Sequence, residues 1–268
     1  MSLFVLLSAC KPSDPYDGIE TKASGWEERQ VYTKFAEILN SDTPQNSKLT
    51  STIVITSDRS IFHDKSVMTV TMEGIVVDSK VHLKLTVTAE EFEYEWQDSD
   101  DGQVRVDVLL KSETVSAEIW LNIDAGRIYY SVTDVDGEET HGSYTGRRVP
   151  DVMKDLEQYL DQYKQLDATY DDVTWEDIWD YMFDNYSTTK TVYVNDSTCS
   201  KAKIVISGWE KGNSVPDITV YVVFFEDGTY RCKQEISQYI YYSYAESVRM
   251  TTTSEIIPTD EQVEFPNF

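Results

Sequence analysis

The sequence predicts an α+β fold: a large antiparallel sheet, one helix ahead of it and two helices in mid-chain. Three observations carry this. Apolar and polar residues alternate over long stretches, as where Val81, Leu83, Leu85 and Val87 interleave with His82, Lys84, Thr86 and Thr88; a period of two puts one set on each face of a strand. The pairs Asp101-Gly102, Asp136-Gly137 and Asp227-Gly228 stand between such stretches and have the composition of tight hairpin turns. Three windows switch to helical spacing.

The elements follow in order. Residues Ser2 to Ala9 form a short apolar run that ends on small residues, and Cys10 follows at once. The run is too short to span a bilayer, which needs about 20 residues. Leu7-Ser8-Ala9-Cys10 resembles the lipobox of bacterial lipoproteins, although no Lys or Arg precedes the run. The resemblance implies that residues 1–9 are a signal peptide that is removed. It further implies that Cys10 is lipidated, with palmitate-like acyl chains, and that the protein is anchored in the cell envelope on the outer side of the cytoplasmic membrane. The competing reading is a buried N-terminal strand that ends in Cys. Residues 11–23 hold two prolines, a glycine and few apolar side chains. Such a segment buries too little to offset its ordering entropy, so residues 10–24 read as the lipidated Cys and a flexible tether reaching on the order of 20 Å.

Ser24-Gly25-Trp26-Glu27 is a capping-box pattern. Trp26, Val31, Tyr32, Phe35, Ile38 and Leu39 then fall mainly on one helical face, and Asn40 to Pro44 stop the helix. Weaker strands near 51–57 and 66–77 come next, then the stretch from Val81 to Val87. Phe92, Tyr94 and Trp96 alternate with glutamates, and valines at 104, 106 and 108 continue the period through Ile123 and Val132. With a strand near 139–146 this makes a meander of about eight strands. Pro150 opens a helical stretch with Val152, Met153, Leu156, Tyr159, Leu160 and Tyr163 at helical spacing. A second begins at Thr174 and aligns Trp175, Ile178, Trp179, Met182 and Phe183. About five further strands run to residue 257, and residues 258–268 read as a frayed tail.

About thirteen strands at roughly 4.8 Å spacing would make a sheet about 60 Å wide. Its apolar face, about 1,200 Å² for strands about 20 Å long, exceeds the roughly 700 Å² that three helices of about 46 residues cover. Either the sheet curls around the helices and leaves an apolar hollow, or the chain splits into two helix-plus-sheet domains. The first solution resembles, in its order of elements over residues 25–257, the LolA/LppX-type lipoprotein carrier fold. That resemblance implies a curved antiparallel half-barrel, one N-terminal helix, two mid-chain helices on the concave face, and binding of acyl chains in the hollow.

Composition narrows the function. A net charge of −25, from 23 basic and 48 acidic residues, excludes the clustered Lys and Arg that nucleic acid requires and a basic patch for anionic lipid. Cys199 and Cys232 remain after Cys10, as a disulfide or as two buried thiols. His63, His82 and His141 have no nucleophile or carboxylate at a usable spacing. The segments from Asp98 and Asp134 begin like calcium loops, but Leu109 and Thr145 stand where the twelfth-position Glu belongs. Both read as hairpin turns. No phosphate loop or nucleophile elbow occurs, and no cofactor or enzymatic activity is expected. Tyr239, Tyr241, Tyr242 and Tyr244 alternate in pairs between two faces of one strand. Two functions remain. One is an envelope lipoprotein that carries an apolar, lipid-like ligand, with candidate lining residues Leu83, Leu85, Phe92, Tyr94, Trp96, Trp175 and Trp179. The other is a non-catalytic structural or adhesive surface lipoprotein with two filled helix-plus-sheet domains.

Overall fold

The computed structural model describes residues 14–39, 45–59, 64–99, 102–145, 188–208, 217–243 and 246–267. Cys10 and the expected helices over 149–186, with Trp175 and Trp179, lie outside the described residues.

The elements are β1 (Thr21–Lys22), α1 (Gly25–Leu39), β2 (Ser47–Arg59), β3 (Asp64–Val77), β4 (Lys80–Ser99), β5 (Gly102–Asn122), β6 (Arg127–Thr133), β7 (Glu139–Thr145), β8 (Thr188–Val194), β9 (Lys201–Gly208), β10 (Asp217–Phe224), β11 (Tyr230–Ser243) and β12 (Glu246–Pro258). The twelve strands form one open sheet in the order β1-β8-β9-β10-β11-β12-β2-β3-β4-β5-β6-β7, and each neighbouring pair is antiparallel. The fold is therefore mostly β, as the alternation predicts. β12 pairs with β2 from Glu246↔Arg59 to Pro258↔Ser47, so the early and late meanders share one sheet instead of making two.

The first meander holds six strands, not about eight. Residues 81–87 and 92–96 belong to one strand, as do 104–110 and 115–122, because the polar residues between them pair without interruption: Thr88 lies opposite Thr114, Glu90 opposite Ser112. The turns form at Asp-Gly, where Gly137 and Gly228 have positive φ of 79° and 84°, a region open to glycine at little cost. In the turn before Gly137, Asp134 Oδ1 accepts the backbone N–H groups of Asp136 and Glu138. That carboxylate closes a turn, as the hairpin reading expected.

Strand register assigns every side chain to one of two faces. The helix face carries α1. Val31 is fully buried against Val192, Val194, Ala202, Ile204, Ile206 and Val222, with Phe35 and Tyr32 at the margin. Each such aliphatic side chain contributes about 1.5–3 kcal/mol on burial, so the core sits under α1 on β8, β9 and β10. The capping box forms as read: Ser24 N–H donates to Glu27 Oε2 at 2.8 Å and Glu27 N–H to Ser24 Oγ at 3.4 Å. Those bonds hold the Glu27 carboxyl below its ordinary pKa. Cys199, buried in this core, and Cys232 are free thiols, not a disulfide.

The opposite face carries the described segments 14–22 and 259–267. Residues 14–22, read as tether, pack instead: Tyr16 and Ile19 are buried beside Val223, Tyr193 and Tyr221. The Tyr16 hydroxyl donates to Glu255 at 2.9 Å, Arg231 donates to the same carboxylate at 2.8 Å, and Thr21–Lys22 pairs with β8. Two apolar anchors in an otherwise polar segment outweigh its proline, Pro15. The tail after Pro258 is likewise held: Val263 is buried, Phe265 meets the Tyr129 ring at 5.6 Å, and Lys48 pairs with Glu261. This strap face is otherwise polar, with Thr88–Thr114 and Lys84–Glu118 as cross-strand pairs. His82, stacked on Trp120 at 4.7 Å, also pairs with Glu118 there, as befits a surface histidine.

Candidate ligand-binding face

Beyond α1 the helix face continues across β2 to β7, and its centre, from β2 to β6, is apolar. Leu49, Ile53 and Ile55 of β2 adjoin Gly74, Val70 and Met68 of β3; these adjoin Leu83, Val87 and Ala89 of β4. Leu83 and Leu85 lie opposite Ile119 and Ala117 of β5, which adjoin Tyr130 and Val132 of β6. Two glycines let large side chains lie flat. A Cβ at Gly74 would fall 2.7 Å from Leu83 Cδ2, and one at Gly142 would fall 2.7 Å from the Tyr130 hydroxyl; each glycine is covered by its cross-strand neighbour.

This surface differs from the core under α1 in what covers it. Met68, Leu85, Ile119, Tyr130 and Val132 are between 38% and 42% exposed. Single exposed apolar residues are ordinary, but a contiguous patch marks an interaction surface. No Asp, Glu, Lys, Arg or His lies among these central positions, so what the surface offers a ligand is burial and shape. Among the described residues no group of three His, Cys, Asp or Glu side chains could hold a metal ion.

The sequence-read lining residues do not share one face. Leu83 and Leu85 lie on the helix face. Phe92, Tyr94 and Trp96 lie on the strap face, because β4 runs unbroken and residues of opposite parity point to opposite sides. Reading 92–96 as a strand of its own hid that relation. The irregularity at Glu91/Phe92 leaves Leu110 of β5 as an extra residue. Beyond it, β4 and β5 project as a two-stranded arm, since β3 reaches only to Glu93 and β6 only to Ser116.

On the strap side of that arm sits a charged and aromatic cluster. The Arg105 guanidinium lies 3.3 Å from the Tyr94 ring centroid and donates to Asp58 at 3.2 Å; Lys65 stands over Phe92 and pairs with Asp107. Tyr94 is buried, and burial beside Asp58 pushes its phenol up to about 12. Its neighbour Trp96 is 58% exposed. The cluster ties the arm's root to β2 and β3 and has no nucleophile–base pair. Nothing in the sequence between Asp58 and Arg105 signals this contact; only the register reveals it. Tyr239, of the tyrosine cluster, falls on the strap face opposite Arg249.

No family model matches the chain, and no curated protein matches it. The translocator domain of autotransporter NalP from Neisseria meningitidis aligns over 87% of this chain and 95% of its own, at 7% identity and a TM-score of 0.16. At that score the alignment carries no argument about fold or function. Among the described residues no helix is long and apolar enough to cross a membrane.

Proposed function

We propose that the chain is a cell-envelope lipoprotein, anchored through acyl chains on Cys10, that carries an apolar, lipid-like ligand on the helix face of β2 to β6. The supporting observation is the contiguity of Met68, Leu85, Ile119, Tyr130 and Val132 on one face, each more than a third exposed. Covering that face with an acyl chain is favourable by about 0.8 kcal/mol per methylene. A twelve-stranded sheet is also too wide to stay flat, because each strand is rotated by about 20–25° from the next. Curling about the helix face would turn the patch into the hollow of a half-barrel.

The packed N-terminal segment adds a geometric consequence. Asp14 already belongs to the folded body, as the carboxylate that accepts the Tyr16 N–H. The stretch from Cys10 to Asp14 spans at most about 14 Å. A lipidated Cys10 therefore holds the sheet close to the bilayer, where an apolar ligand enters and leaves.

The test is native mass spectrometry and thermal denaturation of the protein purified from its host. A co-purifying lipid, and a rise in Tm with added phospholipid, would support the reading. Leu85→Gln should weaken binding with little loss of stability, since Leu85 is 39% exposed. No lipid and no shift would leave the structural or adhesive reading, which draws on the exposed Trp96 and Leu110 of the arm.

A further inference from the structure

Among the described residues the outer edge of β5 is open along the arm. β6 pairs with β5 only over Ser116–Asn122, so among the described residues no strand pairs with that edge from Gln103 to Val115. An edge of this length presents a row of backbone donors and acceptors, and folded proteins ordinarily shorten, charge or cover such an edge. Along this one, exposed apolar side chains alternate with a pair of opposite charges: Val104 is 50% exposed, Leu109 51% and Leu110 61%, with Arg105 and Asp107 between. The geometry points to a second copy of this chain as its partner, joined by antiparallel pairing of β5 with β5 about a two-fold axis at Val106.

The register follows from self-complementarity. Residues 104–108 read Val-Arg-Val-Asp-Val. Antiparallel pairing about Val106 sets Val104 opposite Val108 of the other copy and Arg105 opposite its Asp107, twice over by symmetry. The faces agree. Val104, Val106 and Val108 share the helix face through their partners Gln97, Glu95 and Glu93, whereas Arg105 and Asp107 share the strap face through Trp96 and Tyr94. Opposite charges and β-branched pairs meet on their proper sides, with Arg105 and Asp107 extending the ion pairs they make to Asp58 and Lys65 within one chain. The paired stretch runs from Gln103 to Leu109 and stops at the Leu110 bulge, where a neighbouring strand would lose register. The other edge of the arm does not offer this. Self-pairing of β4 about Trp96 sets Glu95 against Gln97 and Tyr94 against Asp98, with no cation among them.

Residue 106 faces itself only in this register, and the test uses that. Sedimentation velocity of the full chain should show a dimer in the micromolar range. Val106→Lys and Val106→Glu should each weaken self-association at least about tenfold, because like charges then meet on the axis, with circular dichroism unchanged. An equimolar mixture of the two should dimerise again. If either variant fails to fold, Val106→Cys in a Cys10→Ser background should oxidise to a covalent dimer, whereas Val104→Cys, which faces residue 108, should not. A wild-type chain monomeric at about 100 μM, single variants that dimerise as the wild type does, a mixture of folded variants that stays monomeric, or equal cross-linking at 104 and 106 would each overturn the proposal.

Discussion

The α1 end of the sheet and the β2–β6 wing are written in the same alternating code, yet they bury very differently. Under α1, Val222 is 0% exposed and Ile206 2%; on the same face of the wing, Leu85 and Ile119 are both 39% exposed. Alternation fixes which residues share a face, but what covers that face is decided elsewhere in the chain. At the α1 end the cover is a helix more than 150 residues distant in sequence, whose Val31 is buried among Val192, Val194, Ile204, Ile206 and Val222. Across the wing the sheet displays an apolar surface that exceeds what a single fifteen-residue helix, about 22 Å long, can reach.

The sharpest way to break this comparison is to truncate one residue in each region. Ile206→Ala removes a side chain from a filled core and should cost about 2–5 kcal/mol. Leu85→Ala should cost under about 1 kcal/mol in the ligand-free protein, because much of that side chain is already in water. Urea denaturation of both variants measures the difference, and equal losses would mean that the wing is as well packed as the α1 end. Next in size is Tyr16→Ala, which removes the anchor of the N-terminal segment on the strap face. It should lower stability by about 2 kcal/mol and open residues 14–22 to proteolysis, while α1 stays in place.

The junction of the two regions has a pH signature. Cys232 lies on β11 between Val222 and Ile256, and burial, then the charge of Glu255, pushes its thiol up to about 11. The folded state thus holds this proton more tightly than the unfolded chain, whose thiol titrates near 9. The associated stability is fully present below about pH 9 and is lost as pH rises through about 11. Stability curves across that window should slope downward, and Cys232→Ala should flatten them. Native protein should react slowly with a thiol reagent at pH 8, and unfolding should expose the thiol. The smallest effect is expected at the cap: Ser24→Ala should cost about 1 kcal/mol and fray the first turn of α1 without changing the wing.

Several features were legible in the sequence. Ser24 and Glu27 announce the cap, Asp-Gly pairs announce turns, and the period of two gives the faces of residues 81–87 and 115–122 taken each by itself. Other features depend on contacts far apart in the chain. The pairing of β12 with β2 joins segments about 190 residues apart and has no local signal. The strap at Tyr16 and Ile19 was hidden by prolines and charges around two anchors. The split of the candidate site was misjudged for a simple reason: Leu83 and Leu85 are odd-numbered, Phe92, Tyr94 and Trp96 even, and one unbroken strand sends them to opposite sides. Thr88, Glu90 and Glu91 interrupt the apolar alternation, but the strand pairs through them on both sides.

The decisive property of the molecule is which surface takes an apolar ligand. Photolabelling of the full chain with a diazirine-bearing fatty acid, followed by peptide mass spectrometry, reads this directly. Labels should fall on Met68–Met72, Leu83–Val87 and Val115–Ile119, three adjacent stretches of the helix face. Labels confined to Phe92–Trp96 on the strap face, or none above a soluble control protein, would contradict it.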